Sequence, residues 1–428
     1  MSVNKEKEIV KKKLDYLINL YEQKNFSNLV IEAEKFINDY KNSTTAWNLL
    51  AVGYKGAGNI NKAMATYESL LNKNPNVESF NLNLANIYSD LGRINESISL
   101  YKRAISLNPN SINSYNGLGI AFHIQKRFDE AIDAYKKILK LDSKNENANF
   151  NLAETYRTIE KYDEAIDFYE NSNHRLSKSH QLECVYRVRS KAEFIKKLER
   201  VNLSGNLDPL MACLNTHSSI RYKYEDQNPF CLNSLDFIKK YDLKKEDGFD
   251  NDLIKKIVFF HKNSQSDYMS QSLLSNGTQS AGNLFLLKDD FIQILKDIII
   301  SKIATYRNDF KGINNGFLKN WPERNQLHGW IVSMKSGGKL DSHIHKQGWL
   351  SGSLYISLPK ENNSDSGNIS FSYNGGGYPT DGVIFKEKII DIDEGQIVLF
   401  PSSIFHKTIP FYSTKERVSL AFDIKPTL

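Results

Sequence analysis

Along the first half of the chain, apolar positions recur at helical spacing, and the pattern repeats as a block. Windows starting at Thr44, Glu78, Ile112 and Glu146 follow one another at 34 residues. The seventh position carries Leu50, Leu84, Leu118 and Leu152, and the eighth is small: Ala51, Ala85, Gly119 and Ala153. The eleventh is aromatic (Tyr54, Tyr88, Phe122, Tyr156), and the twentieth is small again (Ala63, Ser97, Ala131, Ala165). The twenty-fourth is tyrosine in every window: Tyr67, Tyr101, Tyr135 and Tyr169. Small residues let paired helices approach, and the leucine and aromatic columns fill the seam. The tyrosine column is therefore predicted to be core rather than a cofactor box. A less regular unit precedes these from about Val10, with Tyr16, Leu20, Ala33 and Phe36 at helical spacing.

After Tyr169 the repeat fades. "LSKSHQLECVYRVRSKAEFIKKLERV" still has helical texture and is expected to cap the array, and 203–228 is expected to be a helical connector. "NPFCLNSLDFI" then gives an ordered loop. Two further helices follow, in "DNDLIKKIVFFHKNS" and "KDDFIQILKDIIISKIATYRNDF"; the second is apolar enough to lie on a sheet face. Beyond Phe310 the period shortens. "GWIVSMKS", "SGSLYISLP", "GNISFSYN", "QIVLFPSS" and "RVSLAFDIKP" are short β-branched or aromatic runs bounded by Gly, Pro, Asn and Asp, the pattern of an all-β domain. "YNGGGYPTDG" lies between strands with no Lys-Ser/Thr after it, so it reads as a hairpin loop at a barrel mouth, not a phosphate cradle.

The block of the first half resembles the tetratricopeptide repeat, which implies two antiparallel helices per unit and a curved stack with a concave groove. Such grooves hold extended peptides or partner helices, so the array reads either as a site for a protein or peptide partner or as a unit that packs only against the rest of the chain. The expected organisation is multidomain α + β. Residues 1–200 form an α-solenoid with a capping helix, 201–245 a helical connector, and 246–428 a β domain with flanking helices.

Composition narrows the function classes. The net charge of +6 over 428 residues is mild, and no basic block interleaves with aromatics, so nucleic acid is not an expected partner. No run approaches the ~18 apolar residues of a membrane span, and the amino terminus lacks a signal peptide's apolar stretch. Cys184, Cys213 and Cys231 form no C-x-x-C pair, which suits a reducing compartment; the cytoplasm is expected.

The candidate chemistry lies in the β half. His343 and His345 are two residues apart in "KSGGKLDSHIHKQGWLSGSLYIS", so on an extended chain both can face one cavity. His406 follows in "LFPSSIFHKTIPF", then Arg417 eleven residues later, with Ser419 on the same strand face. This order resembles the iron(II)- and 2-oxoglutarate-dependent dioxygenases, whose double-stranded β-helix (a jelly-roll or cupin-like fold) carries H-x-D/E, a distant His, then Arg and a Ser two beyond it. "NPFCLNSLDFI", "QSAGNLF", "HIHKQGWLSG" and "FPSSIFHKTIPF" resemble oxygenases that follow tetratricopeptide arrays. The resemblance implies Fe(II) held by His343, His345 and His406. It also implies 2-oxoglutarate held through its distal carboxylate by Arg417 and Ser419, with Tyr355 touching it. "SAGNLF" near Gly282 is implied to cap the pocket.

One departure stands out. His345 occupies the place of the usual Asp or Glu, which leaves three readings: a third neutral ligand, a residue beside a two-histidine iron, or a degenerate site. Asp341, two residues before His343, reads either as a partner that orients an imidazole or as an exposed turn residue. Trp330, Trp349 and Tyr355 are expected in the barrel core or pocket wall, and His328 is left outside the site. Three functions compete: a 2-oxoglutarate-dependent hydroxylase whose repeat recruits its partner, a three-histidine iron dioxygenase that needs no keto acid, and a non-catalytic repeat scaffold.

Overall fold

The computed structural model describes residues 3–205, 207–244, 248–263, 268–269, 273–359 and 365–427. The expected boundary at 245–246 lies outside them. Ten helices form five antiparallel pairs: α1 (Val3–Glu22) with α2 (Phe26–Asp39), α3 (Thr44–Gly56) with α4 (Ile60–Lys73), α5 (Glu78–Asp90) with α6 (Ile94–Leu107), α7 (Ile112–Ile124) with α8 (Phe128–Leu141), and α9 (Glu146–Thr158) with α10 (Tyr162–Glu170). Ser43, Ser111 and Asn145 cap α3, α7 and α9 by accepting a backbone N–H three residues on, which satisfies a donor the first turn would otherwise leave unpaired. Within each pair the turn passes through a left-handed residue at the same phase: Lys24, Gly58, Gly92, Lys126 and Glu160. That places the irregular first unit in register with the other four. Tyr67, Tyr101, Tyr135 and Tyr169 are almost wholly buried, as core residues should be. Tyr16 is the exception in the first unit. It is 52% exposed while its neighbour Leu17 is buried, because α1 ends the stack and its outer face has no helix to cover it.

Beyond the pairs lie α11 (Ser177–Val188), α12 (Lys191–Leu203) and α13 (Pro209–Tyr222). A Ser190–Glu193 capping box starts α12, and Asp208 followed by Pro209 starts α13. The stretch expected to be a helical connector is more than that. α13 is buried along most of its length, and β1 (Lys239–Asp242) belongs to the larger sheet. The flanking helices are α14 (Asn251–Asn263), α15 (Asp290–Asp309) and the single turn α16 (Gly316–Lys319). The remaining strands are β2 (Tyr268–Met269), β3 (Leu274–Ser280), β4 (Asn325–Leu340), β5 (Leu350–Ser357), β6 (Ile369–Ser372), β7 (Glu387–Ile390), β8 (Gln396–Pro401), β9 (Phe405–Thr408) and β10 (Arg417–Pro426).

They form two antiparallel sheets, ordered β1-β8-β5-β10-β4-β3-β2 and β7-β6-β9, in a jelly-roll arrangement. The central strand β10 shows why the fold and the site are read from one segment. Its even residues Val418, Leu420, Phe422 and Ile424 pack into the core that includes Ile292, Leu295, Ile299 and Tyr306 of α15. Its odd residues Arg417, Ser419, Ala421, Asp423 and Lys425 face the opposite way and line a cavity.

The array is docked on the β domain. Asn283 N–H donates to the Asp90 carbonyl at 3.3 Å, and a Cβ on Gly92 would meet Ala281 at 2.6 Å. "SAGNLF" therefore clamps the turn after α5. It does not cap the histidine pocket; Gly282, with φ of +80°, brings the loop's backbone against the array instead. The glycine-rich loop joins β6 to β7, which pair as a hairpin, and Arg187 of α11 donates to the Gly376 carbonyl at 2.6 Å.

Candidate metal and cosubstrate site

His343 and His406 face each other across an isolated two-residue bridge, with backbone hydrogen bonds of 3.1 and 3.0 Å in the two directions. His345 N–H donates to the Ser402 carbonyl at 3.1 Å, which fixes the next turn of the same segment. One ring nitrogen from each of the three histidines lies within 4.8 Å of the others.

The tautomers follow from the partners. His343 Nδ1 lies 2.9 Å from the Asp341 carbonyl and His406 Nδ1 3.3 Å from the Ile404 carbonyl. A carbonyl only accepts, so both Nδ1 atoms carry the proton and both Nε2 atoms present lone pairs. His345 Nδ1 is bonded to the Asp423 carboxylate, which only accepts, so Nδ1 carries a proton, and its Nε2 lies 3.3 Å from that of His343. Burial and the neighbouring imidazoles push the His343 pKa down to about 4 and that of His406 well below its usual range, which leaves their inward nitrogens free of protons at neutral pH. The donor set suits a divalent transition metal for which imidazole is a good ligand, Fe(II) among them. Asp341 contributes its backbone carbonyl; its carboxylate turns outward to Lys339 at 2.8 Å.

The same cavity, about 520 Å³, is lined by Arg417, Ser419 and Tyr355. Arg417 is 2% exposed. Its guanidinium donates to the Gly367 carbonyl at 3.1 Å and to Ser419 Oγ at 3.4 Å, and it sits 5.2 Å from the Tyr355 ring centre. Among the described residues no carboxylate pairs with it. A guanidinium stays charged even where burial lowers its pKa, so this is a buried cation without an anion, an arrangement that costs several kcal/mol unless a ligand supplies the charge, roughly 3–5 for a broken buried pair. Among the described residues the Tyr355 hydroxyl, too, is buried without a hydrogen-bond partner. Cross-strand register puts Tyr355 opposite Ser419, which gathers these groups at one end of β10. These groups are the donors a carboxylate would take: a guanidinium able to bind it bidentately, with the Ser419 and Tyr355 hydroxyls at hand.

The other expected residues divide. Trp330 lines the cavity 5.5 Å from the His345 ring, whereas Trp349 is core and donates to the Phe317 carbonyl. His328 lies opposite Asp423 in the sheet and lines an adjoining cavity. Reasoning from sequence missed Asp423 and Ser351. The strand parity that paired Arg417 with Ser419 also includes Asp423, four residues further on, and that signal was in the sequence.

Residues 328–423 match the family model described as "Putative 2OG-Fe(II) oxygenase". Residues 49–76, 77–144 and 122–175 match models of the tetratricopeptide repeat.

The chain thus carries tetratricopeptide-repeat matches over residues 49–175 and a C-terminal match to this oxygenase family over 328–423.

No curated protein matches the chain. Similar solved structures each cover less than half of the chain. "MamA MSR-1 C2" is 21% identical, covers 38% of this chain and 94% of its own, with a TM-score of 0.34. A thermophilic TPR protein from Thermus thermophilus is 17% identical, covers 45% and 98%, with a TM-score of 0.34. Pseudomonas aeruginosa pilF is 15% identical, covers 46% and 90%, with a TM-score of 0.42.

In the β domain one wall of the histidine cavity comes from the array. Arg157 of α9 and Glu183 and Arg187 of α11 line the histidine cavity. Glu183 is bonded to Lys346, next to His345, and to Tyr378 Oη at 2.8 Å. Burial would raise its pKa, but Lys346, Arg157 and Arg187 hold it well below the usual carboxylate range. Gln279, Trp330, Gln347 and Lys425 are shared with a second cavity of about 940 Å³, whose far wall includes Ser89, Ile120 and Ile124 of the array. Among the described residues no helix is long and apolar enough to cross a membrane.

Proposed function

We propose that the protein is an Fe(II)- and 2-oxoglutarate-dependent dioxygenase that hydroxylates a protein or peptide held between its array and its β domain. The observation that carries this reading is Arg417: a buried guanidinium without a counter-ion among the described residues, in the same cavity as three converging imidazoles. His343, His345 and His406 would hold the metal, and Arg417 with Ser419 and Tyr355 the distal carboxylate of the keto acid. When bound, Fe(II) and 2-oxoglutarate supply oxygen activation, converting O₂, the keto acid and a substrate C–H into succinate, CO₂ and C–OH. The protein's share is positioning. Backbone carbonyls of Asp341 and Ile404 keep two imidazoles turned inward, Arg417 sets the direction of the keto acid, and Trp330, Phe400 and Phe405 keep the cavity wall apolar.

An oxidation that needs no keto acid would also use three imidazoles, but it leaves Arg417 unexplained. Anaerobic Fe(II) titration with and without 2-oxoglutarate separates the readings. A visible charge-transfer band that requires both components, and is lost in Arg417→Ala while Fe(II) still binds, is the expected result. Iron binding with no such band favours the keto-acid-independent enzyme, and no iron binding favours the scaffold.

The peptide reading rests on the two adjoining cavities, which together exceed what the cosubstrate needs and place array side chains beside the site. A peptide library incubated with enzyme, Fe(II) and 2-oxoglutarate should yield products with one added oxygen. Ile120→Glu should abolish them while leaving the charge-transfer band intact; products unchanged in this variant would remove the array from substrate binding.

A further inference from the structure

His345 stands where a carboxylate is usual, yet a carboxylate is present one imidazole further out. Asp423 is 4% exposed and its Oδ1 is bonded to His345 Nδ1. The same oxygen accepts from Ser351 Oγ at 2.7 Å, and Ser351 Oγ lies 2.7 Å from Ser402 Oγ. Sheet register sets this up: Ser351 on β5 is directly opposite Asp423 on β10. The other acidic residue lining the cavity, Glu183, is occupied by Lys346, Arg157, Arg187 and Tyr378. Asp423 is thus the carboxylate whose hydrogen bonding is directed at the histidine cluster.

We propose that Asp423, braced by Ser351, is the charge-bearing partner of this metal centre and acts through His345, in place of a carboxylate on the metal itself. A carboxylate bonded to Nδ1–H fixes the ring so that Nε2 faces the ion, and it makes that nitrogen a stronger donor. Two functions that a ligating Asp would combine are separated here: His345 provides the bond, and Asp423 provides the negative charge. The arrangement has one geometric consequence. The ring cannot swing away without giving up the Asp423 bond, so the site is preorganised for the ion. The inference rests on the metal reading of the three histidines, and Asp423 is a positioning residue because it does not face the ion.

The test is anaerobic titration of the full chain with Fe(II) and, separately, Co(II), followed by addition of 2-oxoglutarate. Asp423→Asn keeps the shape and removes the charge. It should weaken Fe(II) binding by about 10–100-fold, the usual cost of losing such a partner. It should also shift the charge-transfer band of the iron–keto acid complex, which loss of packing alone would not do. Ser351→Ala should move both readouts in the same direction by less. A double-mutant cycle guards against general damage: in a His345→Ala background, Asp423→Asn should have no further effect on metal affinity. Wild-type affinity and an unmoved band in Asp423→Asn would overturn the proposal while leaving the oxygenase reading intact. An equal loss in the His345→Ala background would show that Asp423 acts on the fold and not through the ring. Metal bound by the wild type without a keto-acid band would sink the oxygenase reading and leave Asp423 to be judged on Fe(II) and Co(II) affinity. A wild type that binds neither ion would overturn both.

Discussion

At the residue scale, the groups lacking partners carry the most information. Tyr355 is buried against the Arg417 guanidinium with its hydroxyl unbonded. An unsatisfied buried hydroxyl costs about 1–3 kcal/mol, so Tyr355→Phe should leave the ligand-free protein equally stable or more stable by about 1 kcal/mol in a thermal melt. If the hydroxyl serves the keto acid, the same variant should bind 2-oxoglutarate several-fold more weakly. A destabilised variant with unchanged keto acid affinity would contradict both statements. Alternation paired His343 with His345 and Arg417 with Ser419 in the sequence, and the resemblance to the dioxygenases joined them to His406. Asp423 was not picked out. An Asp in a strand reads as a solvated residue until the cross-strand register puts Ser351 and His345 beside it.

At the element scale, the repeat states its own rules. The left-handed turn position is glycine in two units and Lys24, Lys126 or Glu160 in the others. A side chain in that conformation costs roughly 1–2 kcal/mol, partly offset by the entropy that glycine loses on folding. Lys126→Gly should therefore stabilise the array by about 0.5–1 kcal/mol, seen as a higher denaturant midpoint at unchanged slope. Gly119 makes the opposite case. A Cβ there would fall 2.5 Å from the Tyr135 ring, so Gly119→Ala should destabilise by about 1–3 kcal/mol through overpacking of α7 on α8. The phase of the columns made the helices readable in advance. β1 and β3 were not, because each is short and draws its stability from a neighbouring strand more than from its own pattern.

At the scale of the whole molecule, the array and the β domain share an interior. His217 of α13 is wholly buried there, bonded to Tyr186 Oη at 2.8 Å and stacked 4.6 Å from Phe385. Burial, with Arg221 and Arg187 nearby, pushes its pKa down to about 4 against the opposing pull of Asn374 and Asp381. The folded state therefore binds a proton less readily than the unfolded chain, whose histidines titrate at ~6.5. The contribution is complete above that pH and is lost as pH falls towards about 4, by about 3 kcal/mol at most. Replacing it, as in His217→Gln, should flatten the fall in melting temperature between neutral pH and pH 4; an unchanged slope would show that His217 does not carry this sensitivity. Gly92→Ala, which would drive a methyl into Ala281, should loosen docking and expose the cavity wall to proteolysis without unfolding the isolated repeats.

The sequence by itself determined the local periods: helical columns repeating every 34 residues, then alternating strands, with three histidines, Arg417 and Ser419 in order. These are properties of near neighbours, so they survive without knowledge of the fold. Tertiary structure decided what long-range pairing controls. It brought His343 to His406 across a backbone bridge, set Asp423 behind His345, and turned "SAGNLF" from an expected pocket cap into a docking clamp. It also made the array a wall of the histidine cavity rather than a separate module. Each of these depends on which strand or helix lies opposite, and a periodic pattern does not encode its distant partner.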